Sequence, residues 1–261
     1  MNQDLTSRVA LVTGSSRGIG RGIALALAAE GFALMLTGRD EAALDEVAAA
    51  IAAAGGRAAR QLADLRDPDA ALRLVDAVDH AFGRLDVLVN NAGATKRGDF
   101  FALSEADWQD GFALKFFSHM RLARAAWPML QRSAGSLVTI AGIGARVPSA
   151  DFTIGSSVNA ACLAFTKALA DIGRRDGVQV NAINPGRVET DRFARHLSQL
   201  AAQSGEQDIA AIRERLRQTI GVTRFGQPED VAALAAFIVS PGGRWLHGAT
   251  IDMDGGEVRG L

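Results

Sequence analysis

The sequence predicts an α/β chain: a doubly wound parallel sheet with helices on both faces. Three observations carry that expectation. Short β-rich runs alternate with helical periodicities along the whole chain. Most of those runs are apolar almost throughout, as strands covered on both faces are. The first of them leads through a glycine-rich turn straight into a helical pattern.

Taken in order, Val9–Thr13 reads as a strand, and Ile19, Ile23 and Leu27 then fall at i, i+4, i+8 on one helix face. Ala33–Thr37 is the second strand. Leu44, Val47 and Ile51 form the next stripe, with Asp40 placed to cap it. The more polar Arg57–Leu62 is a further strand candidate, followed by Leu74, Val78 and Phe82 on a helix whose first turn suits Pro68. Val87–Val89, Leu137–Ile140, Val178–Ile183 and Ala249–Asp252 complete the strands, and Pro228 suits the start of another helix. No repeat or linker interrupts the pattern, so one domain over residues 1–261 is expected. The one long irregular stretch, Arg187–Gly221, holds Gly205, several charges and an amphipathic piece around Ile209–Leu216, and reads as a functional lid.

A chain of 261 residues, 48% hydrophobic and 22% charged, can bury a full core. Its net charge of −1 supplies no field for nucleic acid or a membrane surface, and no apolar run approaches the roughly 20 residues that span a bilayer. Met1–Ser7 is polar and lacks the apolar core of a signal peptide, which makes the cytoplasm the default expectation. The lone Cys162 excludes a disulfide framework or a metal cluster within one chain. Tyrosine is absent altogether.

Gly14-Ser15-Ser16-Arg17-Gly18-Ile19-Gly20 sits between the first strand and its helix. Glycines there let backbone amides approach a pyrophosphate at the helix N-terminus, where the dipole favours negative charge. An acidic residue near the end of the second strand, about 20 residues on, would bind a free ribose 2′-hydroxyl. This chain has Gly38 there, followed by Arg39, with Arg17 inside the turn. Two guanidiniums suit a 2′-phosphate, so the sequence favours NADP(H) over NAD(H); Asp40 is better used as a helix cap.

Thr13-Gly14-x-x-x-Gly18-x-Gly20 resembles the fingerprint of the short-chain dehydrogenase/reductase family, a set of Rossmann-fold enzymes. Asn90-Asn91-Ala92-Gly93, Asp64-Leu65 and Asn184-Pro185-Gly186-x-x-x-Thr190 match further blocks. So do Arg224-Phe225-Gly226-Gln227-Pro228-Glu229-Asp230-Val231 and the stretch Gly248–Gly256, and the likeness covers residues 5–256. It implies a seven-stranded sheet in the order 3-2-1-4-5-6-7. It also implies homodimers or homotetramers, built through helices at about 105–131 and 153–173 and the C-terminal strand. The cofactor roles it implies fall on Gly14, Ser16, Arg17, Ile19, Asp64, Leu65, Asn91, Ala92, Gly93, Pro185, Gly186, Val188 and Thr190; Gly18, Gly20 and Arg39 join them from the turn and the charge argument.

The family's catalytic tetrad of Asn, Ser, Tyr and Lys does not carry over. Counting from the flanking motifs places those positions at Lys115, Gly142, Gly155 and Asn159 respectively. The nearest aromatic to the Tyr position is Phe152, which cannot donate a proton. Lys and Asn thus stand exchanged. A buried Lys115 would have a lowered pKa and could serve as a proton donor or a Schiff-base nucleophile; the plain alternative is a lysine that snorkels or pairs with an acid such as Asp151. Ser156 and Ser157 are either polar residues at a helix start or contacts to substrate or cofactor. His119 is a structural histidine or a proton relay to Lys115. Trp108, Phe116 and Phe117 read as core or interface aromatics. Arg146, Arg187, Arg192, Arg195 and His196 are expected in loops bordering the substrate pocket, as receptors for a carboxylate or phosphate or as solvated lid charges.

Two functions are therefore expected to compete. One is an NADP(H)-dependent oxidoreductase acting on a carbonyl or alcohol with a non-standard site. The other is a non-catalytic NADP(H)-binding sensor or inactive partner subunit. A lyase or isomerase using Lys115 covalently is a third.

Overall fold

A computed structural model describes residues 8–260; the Met1–Ser7 segment lies outside the described residues. Those residues form one seven-stranded, all-parallel sheet in the order β3-β2-β1-β4-β5-β6-β7. The strands are β1 (Val9–Thr13), β2 (Ala33–Gly38), β3 (Ala58–Leu62), β4 (Val87–Asn90), β5 (Ser136–Ile140), β6 (Gln179–Pro185) and β7 (Thr250–Met253). Each falls within two residues of its expected bounds at either end, and the more polar β3 forms one edge, with β7 the other.

Period-two alternation along β1 builds two cores from one strand. Val9 and Leu11 join the layer under α3 (Ala70–Phe82), α5 (Ser118–Arg132) and α6 (Thr153–Asp176). Ala10 and Val12 join the opposite layer under α1 (Gly18–Ala29), α2 (Glu41–Ala53) and α9 (Pro228–Val239). Asp40 caps α2 as expected, accepting from the Ala43 amide, and Pro228 opens α9. Pro68 does not enter α3, whose N-cap is Asp69; it stands just before the cap, where its missing amide costs nothing.

Two expectations need correction. The stretch Arg187–Gly221 is not irregular: it holds α7 (Asp191–Ser204) and α8 (Ile209–Ile220). Thr190 and Asp208 cap their N-termini and Gly205 and Gly221 take the left-handed conformation at their C-termini. Phe193, Leu197, Ile212, Val222 and Phe225 give the pair a small core of its own. The expected long helix at 105–131 runs as α4 (Glu105–Gly111), a π-helical turn (Phe112–Phe117) and α5, and the turn carries Lys115.

Among the described residues no helix is long and apolar enough to cross a membrane, and no group of three or more His, Cys, Asp or Glu could hold a metal ion.

Candidate active site

The strand order reverses between β1 and β4, and the chain segments leaving those strands open a crevice at their C-terminal ends. On the β1 side, Gly14 has φ +65, and a Cβ there would stand 3.1 Å from Ala92 Cα. A Cβ on Gly20 would stand 2.2 Å from the Gly14 carbonyl oxygen. Only glycine fits either position. The first turn of α1 has no side-chain cap and no acidic residue, which leaves its amides for an external anion. The cradle therefore fits the pyrophosphate of a dinucleotide.

Sequence reasoning missed the residue that ties the two sides of the crevice together. Thr13 Oγ1 accepts from the amides of Asn91 and Ala92, 2.9 Å each, and donates to the Val89 carbonyl at 3.2 Å. Asn91 returns the favour by donating through Nδ2 to the carbonyls of Thr13 and Gly14. The clue was a hydroxyl at the end of an otherwise apolar strand, which must find partners once buried.

At the adenosine end, Ser16 lies against Gly38, whose missing side chain leaves room for it. Arg39 is exposed and 3.9 Å from Asp64, which also pairs with Arg66 at 3.3 Å. Arg17 is exposed and 3.7 Å from Asp191. Both contacts are loose and solvated. The Leu65 side chain belongs to the core, so only its main chain can face a ligand, while Ile19 is half-buried against the opposite core layer. Across the crevice, Pro185 ends β6, Gly186 sits tightly against Asp254, and Val188 bridges to Gly226. Thr190 caps α7 and stands beside Gly18, bringing the lid against the cradle.

Lys115 and Asn159, expected from sequence to stand at two of the catalytic positions, lie in direct contact. Lys115 is buried, 7% exposed, and its Nζ donates to Asn159 Oδ1 at 2.6 Å and to the Ala141 carbonyl at 2.5 Å. It does not pair with Asp151, which is bound to Arg97 at 2.7 Å. Two glycines make room: Gly93, where a Cβ would stand 2.8 Å from Lys115 Cδ, and Gly142, where one would stand 3.0 Å from Asn159 Nδ2. Burial pulls the Lys115 pKa down to about 8; the charge of a Cys162 thiolate opposes the fall and that of Arg192 adds to it.

His119 is not positioned as a relay to Lys115. Its Nε2 donates to the Ala92 carbonyl at 2.9 Å, which leaves Nδ1 as acceptor for the Cys162 thiol at 3.8 Å. Burial, then the charge of Lys115, lowers its pKa to about 3, so the ring stays neutral. Burial likewise raises the Cys162 thiol. Ser156 is buried and its hydroxyl has no protein partner, whereas Ser157 is exposed; neither caps α6, which begins at Thr153.

Phe152 fills the space beside Gly155. A Cβ on Gly155 would stand 2.0 Å from the ring, and one on Gly144 would stand 3.1 Å away. Arg97 stacks on the ring at 3.9 Å from its centroid. Phe152, the N-cap residue of α6, lies over Gly155 three positions on, close enough in sequence to be suspected; Arg97, fifty-odd positions away, had no such signal.

The basic cluster is only partly as expected. Arg192, Arg195 and His196 stand on α7 rather than in loops, because Thr190 starts the helix ahead of them. Arg192 donates to the Gly93 carbonyl, at the glycine against which Lys115 packs.

The family described as Enoyl-(Acyl carrier protein) reductase matches residues 14–257. An uncharacterized oxidoreductase of Mycobacterium tuberculosis is 35% identical over 254 residues, 97% of this chain and 92% of that protein. A 3-oxoacyl-[acyl-carrier-protein] reductase of Synechocystis is 34% identical over 257 residues, 97% of this chain and 98% of that protein. The structure of L-sorbose reductase from Gluconobacter frateurii, complexed with NADPH and L-sorbose, superposes with a TM-score of 0.93 at 30% identity over the whole of both chains. Sheet order, glycine cradle and these full-length likenesses agree: the chain belongs to the short-chain dehydrogenase/reductase family of NAD(P)-dependent oxidoreductases.

Proposed function

We propose that the chain is an NADP(H)-dependent oxidoreductase that interconverts a small carbonyl compound and its alcohol, with Lys115 handling the proton. The observation that carries this reading is the Lys115 ammonium, buried at the crevice and tethered to Asn159 and Ala141. An ammonium has three N–H donors. Two are used, which leaves one for a substrate oxygen. In the reductive direction Lys115 gives that proton to the carbonyl oxygen as a new O–H bond forms, its N–H bond breaks, and the amine recovers a proton from solvent. Asn159 and Ala141 hold the nitrogen in place through the exchange, and a pKa of about 8 keeps both protonation states accessible near neutrality. Bound NADP(H) supplies or accepts the hydride.

Gly14, Ser16, Arg17, Gly18, Ile19 and Gly20 would hold the phosphates, with Asp64, Leu65, Asn91, Ala92 and Gly93 on the β3 and β4 side and Pro185, Gly186, Val188 and Thr190 closing from β6. Preference for the 2′-phosphate rests on Arg39 and Arg17, whose long ion pairs a dianion would outcompete. The NADPH in the sorbose reductase complex supports the same choice. The expected state is a homodimer or homotetramer in the cytoplasm.

One observation favours the alternative, a non-catalytic NADP(H)-binding sensor or partner subunit: Phe152, which can neither give nor take a proton, occupies the space beside Gly155. The test is to titrate the protein with NADPH and NADH by fluorescence, then follow NADPH absorbance with a panel of carbonyl compounds. NADPH should bind more tightly, Arg39→Ala should weaken it by about tenfold, and Lys115→Met should remove turnover while leaving NADPH affinity unchanged. Turnover that survives in Lys115→Met removes the lysine from the chemistry; tight binding with no turnover on any carbonyl establishes the sensor.

A further inference from the structure

The charges around the crevice do not balance, and the imbalance is local. Arg97, Arg146 and Arg187 each face a carboxylate of their own: Asp151, Asp252 and Glu257. Asp191, next to Arg192 in sequence, does not pair with it and makes a loose, solvated contact to Arg17 at 3.7 Å. Among the described residues Arg192 and Arg195 have no carboxylate partner; Arg192 has only the Gly93 carbonyl.

These two guanidiniums share a face of α7. Arg192, Arg195 and His196 fall at i, i+3, i+4, while Phe193 and Leu197 turn the other way into the small lid core. The first face looks into the crevice, since Arg192 reaches the Gly93 carbonyl and His196 beside it is half-buried. Much of the Arg192 side chain meets solvent, yet crowding around its guanidinium, then the charges of Arg195 and Arg97, lower its pKa. Lys115 feels Arg192 in turn. Gathering like charges over a reaction centre is unfavourable unless an anion comes to join them.

We propose that the substrate carries a carboxylate, received by Arg192 and Arg195 on the lid face while its carbonyl oxygen meets Lys115. This rests on the oxidoreductase reading of the site and adds which carbonyl compounds enter: small oxo acids rather than neutral ketones. Arginine suits the task because its planar fork binds a carboxylate through two parallel hydrogen bonds. The same guanidiniums could instead serve the phosphates of the dinucleotide, and the experiment separates the two sources.

Calorimetry would measure binding of a set of 2-oxo and 3-oxo carboxylates, each paired with its methyl ester, to protein held in excess NADP+. Acids should bind about tenfold or more tightly than their esters, the value of one charge-assisted hydrogen bond. Arg192→Gln with Arg195→Gln should erase that preference and leave NADPH affinity within about twofold, a change too small for a lost charge contact. Acid preference without turnover would sustain this inference while the catalytic reading fails. Equal affinity for acids and esters in the unmodified protein overturns it, even if ketones are reduced. Loss of NADPH affinity in the double variant with acid preference intact also overturns it and assigns the guanidiniums to the cofactor.

Discussion

Burial changes what Lys115 can do and also what it costs to keep. A lysine held at about 8 instead of 10.5 binds fewer protons folded than unfolded between those values, so folding stability should rise with pH across that window. The gap corresponds to about 3 kcal/mol. Urea unfolding of Cys162→Ala protein with and without Lys115→Met, from pH 7 to 10, would isolate this contribution, because the Cys162 thiol acts in the opposite sense and is coupled to Lys115. A difference that does not change with pH sinks the assignment. Reduction needs the ammonium, so its rate should fall as pH rises past about 8. Phe152 and Gly155 form a second coupled pair. Gly155→Ala pushes a methyl into the Phe152 ring and should cost about 1–3 kcal/mol, whereas the same change beside Phe152→Ala should cost much less. Additive effects in that double-mutant cycle would mean the ring is not what confines the site.

At the scale of elements, the π-helical turn and the lid decide where side chains arrive. One widened turn between α4 and α5 carries Lys115 inward on a stretch that also buries Leu114. The lid helices α7 and α8 rest on a small cluster of their own, apart from the two layers that clamp the sheet. Regions with few buried apolar contacts open at lower free energy than the core. Amides of α7 and α8 should therefore exchange with deuterium faster than those of β1, β4 and β5, and NADPH should slow them. Phe225→Ala removes the most buried ring of that cluster and should accelerate the lid selectively, leaving the sheet protected. Uniform acceleration across sheet and lid would mean the two unfold as one unit.

The whole molecule presents apolar side chains that its own fold leaves uncovered. Trp245 is 98% exposed and Phe237, on α9, 50%; Phe117 and Ile172 emerge from α5's side and from α6. Phe117 and Ile172 lie on the two helices, and Trp245 lies shortly before the strand, through which the family resemblance expects subunits to meet. Contiguous exposed apolar patches mark association sites, which makes the oligomeric state a prediction to measure. Sedimentation should give a dimer or tetramer, and Trp245→Asp should shift it toward smaller species. A monomer at micromolar concentration would remove the oligomer from this account.

Much of this was legible in one dimension, because it depends on local chemistry. Alternating periodicities placed every strand of the sheet, and glycines followed by a helix placed the cradle, since a tight turn and free amides need nothing from elsewhere in the chain. The amphipathic piece around Ile209–Leu216 marked most of α8, but the charges of α7 read as part of an irregular lid although its caps were present as local signals. The pairing of Lys115 with Asn159 was foreseen only as an exchange of positions; that the amine reaches the Ala141 carbonyl, and that His119 turns away to Ala92, took the packing of three separate segments. Which arginines keep a carboxylate and which lack one was likewise decided in three dimensions. Charge neutralisation acts over a few ångströms of space, and partners such as Arg97 with Asp151 or Arg187 with Glu257 lie far apart along the chain.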